Sequence, residues 1–289
     1  FSNTFPTERV QAFFKEVLGR LSGVDPTAGS MFLLDTPFGG GKTHTLIGLY
    51  HLANSNASND SLSRLGLNRE LLPSHKPKIV SIVGDDLDPA NGLDKGDVRV
   101  HHLWGDIAYQ LGGSEGYKLV EQSDVKGQAP GSQFLDKLVG SEPCLILIDE
   151  PAVYLRKMGN AADQLPAFLK ALGGWVTRPS SRTVLVITLA LNPQRAAAAP
   201  QDAFSKETQD LMQTVFSEVG SVISRELKVV TPSERQDIAP ILRQRLFQDV
   251  DMTVAPEVAQ QYFDALTQAQ QRGIPVPAET VQAFYRENL

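Results

Sequence analysis

The chain has 289 residues, 42% of them hydrophobic and 21% charged, with a formal net charge of −6, a mix that excludes a low-complexity or disordered polypeptide. No stretch approaches the roughly 18 consecutive apolar residues of a membrane span, the first residues lack the layout of a signal peptide, and the acidic balance excludes bulk attraction to nucleic acid by counterion release, leaving only a local basic patch open. The expectation is a soluble, cytoplasmic protein with no membrane association.

In chain order, residues 7–21 carry Val10, Phe13, Phe14, Val17, Leu18 and Leu21 at helical spacing, and Ser22-Gly23 ends the pattern. Met31, Phe32, Leu33 and Leu34 form a short continuous apolar run, the pattern of a strand buried on both faces of a parallel sheet. A glycine-rich turn follows, then a helix from Thr43 through Leu52, and an Asn/Ser-rich stretch over 54–63 that reads as an exposed loop. A second strand is expected over Lys78–Val83, ending in an acidic turn at 84–88. Residues 103–111 read as a short helix, and the polar, Gly-rich stretch to about Ser132 as a mobile segment. Further strands are expected over 144–148, 184–189 and Leu227–Val230, with helices marked by Leu165, Phe168, Leu169 and Leu172 and by the apolar stripe from Leu211 to Ile223. The single cysteine, Cys144, lies inside the third strand and reads as a small buried hydrophobe.

Strands alternating with helices over some 200 residues call for an α/β fold with a mainly parallel, five-stranded sheet covered on both faces. From Thr231 the pattern is helical throughout. Thr231-Pro232-Ser233-Glu234 fits a capping box, Pro240 is expected to kink the helix that follows, and more helices are expected near Pro256 and Pro277. The division is therefore an α/β core over 1–230 and a helical lid over 231–289. Phe1 in place of an initiator methionine, and a last residue inside a helical pattern, are what a piece of a longer chain would show.

Two motifs carry chemistry. Thr36-Pro37-Phe38-Gly39-Gly40-Gly41-Lys42-Thr43 matches the phosphate-binding loop G-x-x-x-x-G-K-[ST] except at its first position, where Thr36 replaces glycine. Three successive glycines let the backbone approach phosphate oxygens closely, and the amides there, with His44 opening the next helix, would solvate phosphate. Lys42 is expected between the β- and γ-phosphates of ATP, and the Thr43 hydroxyl on Mg²⁺. About a hundred residues on, the apolar strand Leu145-Ile146-Leu147-Ile148 ends in Asp149-Glu150. Asp149 is placed to hold Mg²⁺ and Glu150 to polarise the attacking water. Thr188, or Asn192 just past it, could orient that water. Arg225 is a candidate for reaching the γ-phosphate of a neighbouring subunit, and Arg243 or Arg245 for reaching phosphate within the same one. Helix-dipole placement explains Arg225 equally well. His44, His51, His101 and His102 lack the partners of a zinc set.

With these residues in view, the chain resembles a bacterial family of AAA-like P-loop ATPases described mostly as a domain of unknown function. Its relatives occur in BREX-type phage-defence operons and beside DNA methyltransferase genes. The resemblance rests on residues 39–46, with Gly-Gly-Gly-Lys-Thr-His its most specific part, on Leu103-Trp104-Gly105-Asp106-Ile107-Ala108, and on residues 145–155, which include Tyr154. Arg243-Gln244-Arg245-Leu246-Phe247 adds a weaker match. It implies a three-layer P-loop NTPase core with a helical lid, acting as the ATP-binding, ATP-hydrolysing module of a larger bacterial protein. A methyltransferase or another defence-system protein would be its partner, and a homo-oligomer is compatible with an arginine supplied in trans. A nucleotide-gated scaffold with negligible turnover and a nucleic-acid translocase remain open alternatives.

Overall fold

The computed structural model describes residues 5–35, 41–54, 57–179, 181–189, 227–246, 251 and 253–273. The helix expected over 211–223 and the one expected near Pro277 lie outside them. The chain divides into two units, one of residues 6–232 and one of 1–5 with 233–289.

The larger unit is an α/β fold around a five-stranded sheet: β1 (Met31–Asp35), β2 (Lys78–Val83), β5 (Cys144–Asp149), β6 (Thr183–Leu189) and β7 (Leu227–Val230), with β3 (Leu93–Asp94) and β4 (Arg99–Val100) forming a separate hairpin. The strand order is β2-β5-β6-β1-β7, and every neighbouring pair is parallel. Parallel strands need both faces covered, which is why β5 and β6 are mostly apolar and buried at every residue, with Asp149, Thr183 and Thr188 as their polar members.

Alternate residues sort to the two faces. Met31, Leu33, Ile146, Ile148, Leu185 and Ile187 join one core with Trp104 and Ile107 of α4 (Leu103–Lys118) and with Phe168, Leu169 and Leu172 of α8 (Gln164–Val176). On the opposite face Phe32 meets Phe13 of α1 (Glu8–Ser22) edge-on, with ring centroids 5.1 Å apart. Each of these large apolar side chains contributes on the order of 1.5–3 kcal/mol by leaving water. The ends of α1 follow its sequence: Thr7 caps the first turn by accepting from the Val10 amide, and Gly23 closes the last in the left-handed region, φ 82°. Arg20 is buried and donates to the carbonyls of Ala28 at 2.7 Å and Thr183 at 3.2 Å, tying α1 to the start of β6.

Three local expectations are corrected. The stretch after residue 111 is helical: α4 continues to Lys118 through a break at Gly112-Gly113, and α5 (Glu121–Val125) and α6 (Gln133–Val139) follow. The polar sequence concealed a buried anchor, Asp124, which is 0% exposed and accepts from the amides of His101 and His102, both at 2.8 Å. Within the Asn/Ser stretch, α3 (Asn59–Arg64) is capped by Ser58 and inserts Leu62 into the core. The helix expected from Thr231 begins only in the smaller unit, beyond the capping-box residues. A 3₁₀ turn (Arg235–Asp237) leads into α9 (Ile238–Leu246), and Asp237 accepts from the Glu234 amide at 2.8 Å. That late start puts Pro240 in the first helical turn, where a missing N–H is tolerated. Next in this unit is α10 (Ala255–Gln271), with Pro256 in its first turn. Among the described residues no helix is long and apolar enough to cross a membrane.

Candidate functional site

All five strands run the same way, so β1, β5 and β6 deliver Asp35, Asp149 and Leu189 to one edge of the sheet. Open α/β sheets bind ligands outside the carboxyl ends of their strands, where polar groups escape the apolar layers. Thr36, Pro37, Phe38, Gly39 and Gly40 lie outside the described residues. Gly41 resumes the chain at φ 82° and heads α2 (Lys42–Ala53), where the Thr45 amide and hydroxyl both donate to the Gly41 carbonyl, at 2.9 and 2.8 Å. Glycine is favoured there because the left-handed region strains a residue that carries a Cβ. Lys42 and Thr43 therefore open a helix immediately beside the strand ends, and the exposed His44 follows.

Asp149 joins the two motifs. It is only 6% exposed, yet its carboxylate accepts two hydroxyl protons: Thr188 Oγ1 at 2.6 Å on Oδ1 and Thr43 Oγ1 at 2.8 Å on Oδ2. Thr188, directly opposite Leu34 across the sheet, also accepts from the Glu150 amide at 3.0 Å. Thr43, Asp149, Glu150 and Thr188 thus form one hydrogen-bonded unit drawn from α2, β5 and β6. Lys42 lies in the same field. Its partial burial lowers the ammonium pKa, and the charges of Asp35, Asp149 and Glu150 oppose that shift.

Glu150 has a backbone found at no other non-glycine residue among those described, φ 53° and ψ 46°. The left-handed region costs an L-residue on the order of 1–2 kcal/mol. Such strain persists where the surroundings over-determine it, often at functional positions. Here Glu150 turns the chain from β5 into α7 (Pro151–Lys157), with Pro151 fixing the first helical residue. Its carboxyl pKa is raised by burial first, then by the charges of Asp149 and Asp85, with Lys42 pulling the other way. Burial and the neighbouring carboxylates thus hold the Glu150 carboxyl above the ordinary glutamate range.

Behind this edge lies a buried polar network that explains the other two family-like motifs. Tyr154, one turn into α7, accepts from the Leu103 amide at 3.2 Å and shares a hydrogen bond with His102 Nδ1 at 3.0 Å. His102 stacks on Trp104 with centroids 4.7 Å apart, and burial with the charge of His101 lowers its pKa to about 4, so it is neutral at pH 7. Gly105 is glycine because a Cβ there would lie 2.3 Å from Asp124 Oδ1. Asp106 is also buried and ion-pairs with Lys95 at 2.7 Å. The Leu103-to-Ala108 motif therefore builds the wall that supports α7.

The structure brings together Lys42, Thr43, Asp149, Glu150 and Thr188. Asn192 and Arg225 lie outside the described residues, as does Phe247 of the basic cluster. Arg243 and Arg245 are exposed on α9, in the smaller unit. The sequence reading missed Asp35, which ends β1, and Asp85, which acts on Glu150. It also missed Gly84, whose amide donates to the Asp149 carbonyl at 2.8 Å. The strand-end acids were visible as Asp35 and the acidic turn at 84–88, but only pairing of β2 with β5 brings that turn to Asp149.

No group of three or more His, Cys, Asp or Glu side chains suited to a metal occurs among the described residues. A hydroxyl and a carboxylate 2.8 Å apart, within a field of three acids, nevertheless fit a hard divalent cation such as Mg²⁺, which takes few protein ligands beside water and phosphate oxygens. No curated protein matches the chain. A family model described as the DUF499 N-terminal domain matches residues 1–227, from the N-terminus through β6 to the first residue of β7. The chain belongs to that family.

Proposed function

We propose that this chain binds ATP with Mg²⁺ at the β1–α2 turn and hydrolyses it, as an AAA-like P-loop module of a larger bacterial protein. The observation that carries this reading is the 2.8 Å hydrogen bond from Thr43 to Asp149. It joins the Gly-Lys-Thr element to the acidic strand end across 106 residues of sequence, as a nucleotide–metal site requires. Lys42 binds the β- and γ-phosphates. Thr43 and Asp149 hold the metal, with Thr43 as direct ligand. When bound, Mg²⁺ would neutralise charge on the phosphate oxygens. Glu150 takes a proton from the attacking water, and its raised pKa suits that step. The amides of residues 39–41 cradle phosphate, and Arg225, Arg243 or Arg245 would complete the site in the nucleotide-bound assembly. Association with a DNA methyltransferase or phage-defence partner, and a homo-oligomer with an arginine acting in trans, belong to the same proposal and rest on family resemblance alone.

Steady-state phosphate release with Mg²⁺-ATP tests the reading through two substitutions that differ in kind. Lys42→Ala is expected to weaken nucleotide binding, and Glu150→Gln to retain binding and lose turnover. Wild-type rates in both variants would overturn it. Tight binding without turnover in the wild-type chain would favour a nucleotide-gated scaffold.

A further inference from the structure

We propose that Thr188 and Gly84 are positioning residues that clamp the backbone of Glu150 in its left-handed conformation, from its amide side and its carbonyl side respectively. The inference rests on the hydrolytic reading, because it assigns how that site aims its base. On the amide side, Thr188 Oγ1 accepts from the Glu150 N–H at 3.0 Å while giving its only proton to Asp149 Oδ1 at 2.6 Å. Thr188 is 1% exposed, and its hydroxyl spends its proton and one acceptor site on the acid pair, away from solvent. It therefore acts through Glu150 and Asp149.

On the carbonyl side, a Cβ at residue 84 would lie 2.2 Å from the Glu150 oxygen and 2.9 Å from its carbonyl carbon. No real contact is that short, so any side chain at 84 displaces the Glu150 carbonyl. The Gly84 amide meanwhile donates to the Asp149 carbonyl at 2.8 Å, fixing the preceding peptide from the same strand end. Only glycine at 84 allows β2 to run this close to the turn. With the amide held, the carbonyl abutted and Pro151 next in sequence, the φ of 53° at Glu150 is over-determined, and with it the direction in which its side chain leaves the backbone.

The test uses Thr188→Val, which keeps the side-chain shape and removes the hydroxyl, alongside Thr188→Ser and Gly84→Ala. Crystal structures of the variants are expected to show Glu150 outside the left-handed region in Thr188→Val and Gly84→Ala, and inside it in Thr188→Ser. Turnover in Thr188→Val is expected to fall about 10²-fold with nucleotide affinity unchanged within a few-fold, the loss typical of a misplaced reacting group. Thr188→Ser recovers most of that loss. Glu150 still at positive φ in Thr188→Val, or wild-type turnover in that variant, would overturn the clamp. If the wild-type chain proves unable to hydrolyse ATP, the hydrolytic reading fails by itself, and the Glu150 conformation in the variants still decides whether the clamp exists.

Discussion

Replacing Glu150 by glycine is expected to stabilise the protein relative to alanine at the same position, the reverse of the usual order. Away from special conformations glycine is the worse residue by roughly 0.5–1 kcal/mol, because it loses more backbone freedom on folding. At φ 53° and ψ 46° the comparison inverts, since alanine keeps a Cβ in the left-handed region, which costs roughly 1–2 kcal/mol, whereas glycine has none. Both substitutions remove the carboxylate, so relief of repulsion from Asp149 and Asp85 cancels between them. The net is about 1 kcal/mol in favour of Glu150→Gly, read as about 2–4 °C in Tm for a unit of this size. Thermal and urea unfolding of the two variants in parallel measure it. Alanine as stable as glycine, or more so, would refute the claim that the chain carries strain at this residue. Both variants are expected to lose turnover, so the native residue would be the one that serves chemistry at a cost in stability.

Gly105→Ala places a Cβ against Asp124 Oδ1 inside a closed network and should cost about 1–3 kcal/mol in urea unfolding. His102 has a folded pKa near 4 against 6.5 when unfolded, so the unfolded chain binds the extra proton between those values. The stabilisation from keeping it neutral is complete above pH 6.5 and is lost as pH falls toward 4, amounting to up to about 3 kcal/mol. His102→Asn should flatten the stability profile in that window, and an unchanged profile would count against a buried neutral imidazole. Because Glu150 must be ionised to act as a base and its pKa is raised, the rate should rise with pH along an acid limb above the ordinary glutamate range. Asp85→Asn should move that limb to lower pH, since Asp85 is one of the charges raising it.

The sheet was legible because its strands are bounded apolar runs in which every residue must be covered. Residues 31–34, 144–148 and 184–189 are apolar but for Thr188, with no alternating polar face to confuse the pattern, and all three lie in buried strands. Parts of the site were legible for a related reason: Asp149 and Glu150 end such a run, and Lys42 opens the helix after the preceding strand. What escaped depends on contacts distant in sequence. Gly112-Gly113 reads as the end of a helix, and the chain turns there yet continues helically because Tyr117 and Asp124 are drawn back onto the amides and carbonyl near residues 99–102. Gly84 carries no local signal that Glu150 will abut it. Thr231 carries every mark of a helix cap, yet it directly follows β7, and the carbonyl of the next residue, Pro232, accepts from Thr7 at 2.7 Å, so the helix begins later.

Lys42, Thr43 and Asp149 are proposed to form one nucleotide–metal site. A crystal structure with a non-hydrolysable ATP analogue and Mg²⁺ tests it most directly. The metal is expected on the Thr43 hydroxyl within about 2.0–2.1 Å, with Asp149 beside it and Lys42 on the terminal phosphates. A nucleotide bound away from the β1–α2 turn, or a metal that touches neither Thr43 nor Asp149, would contradict it.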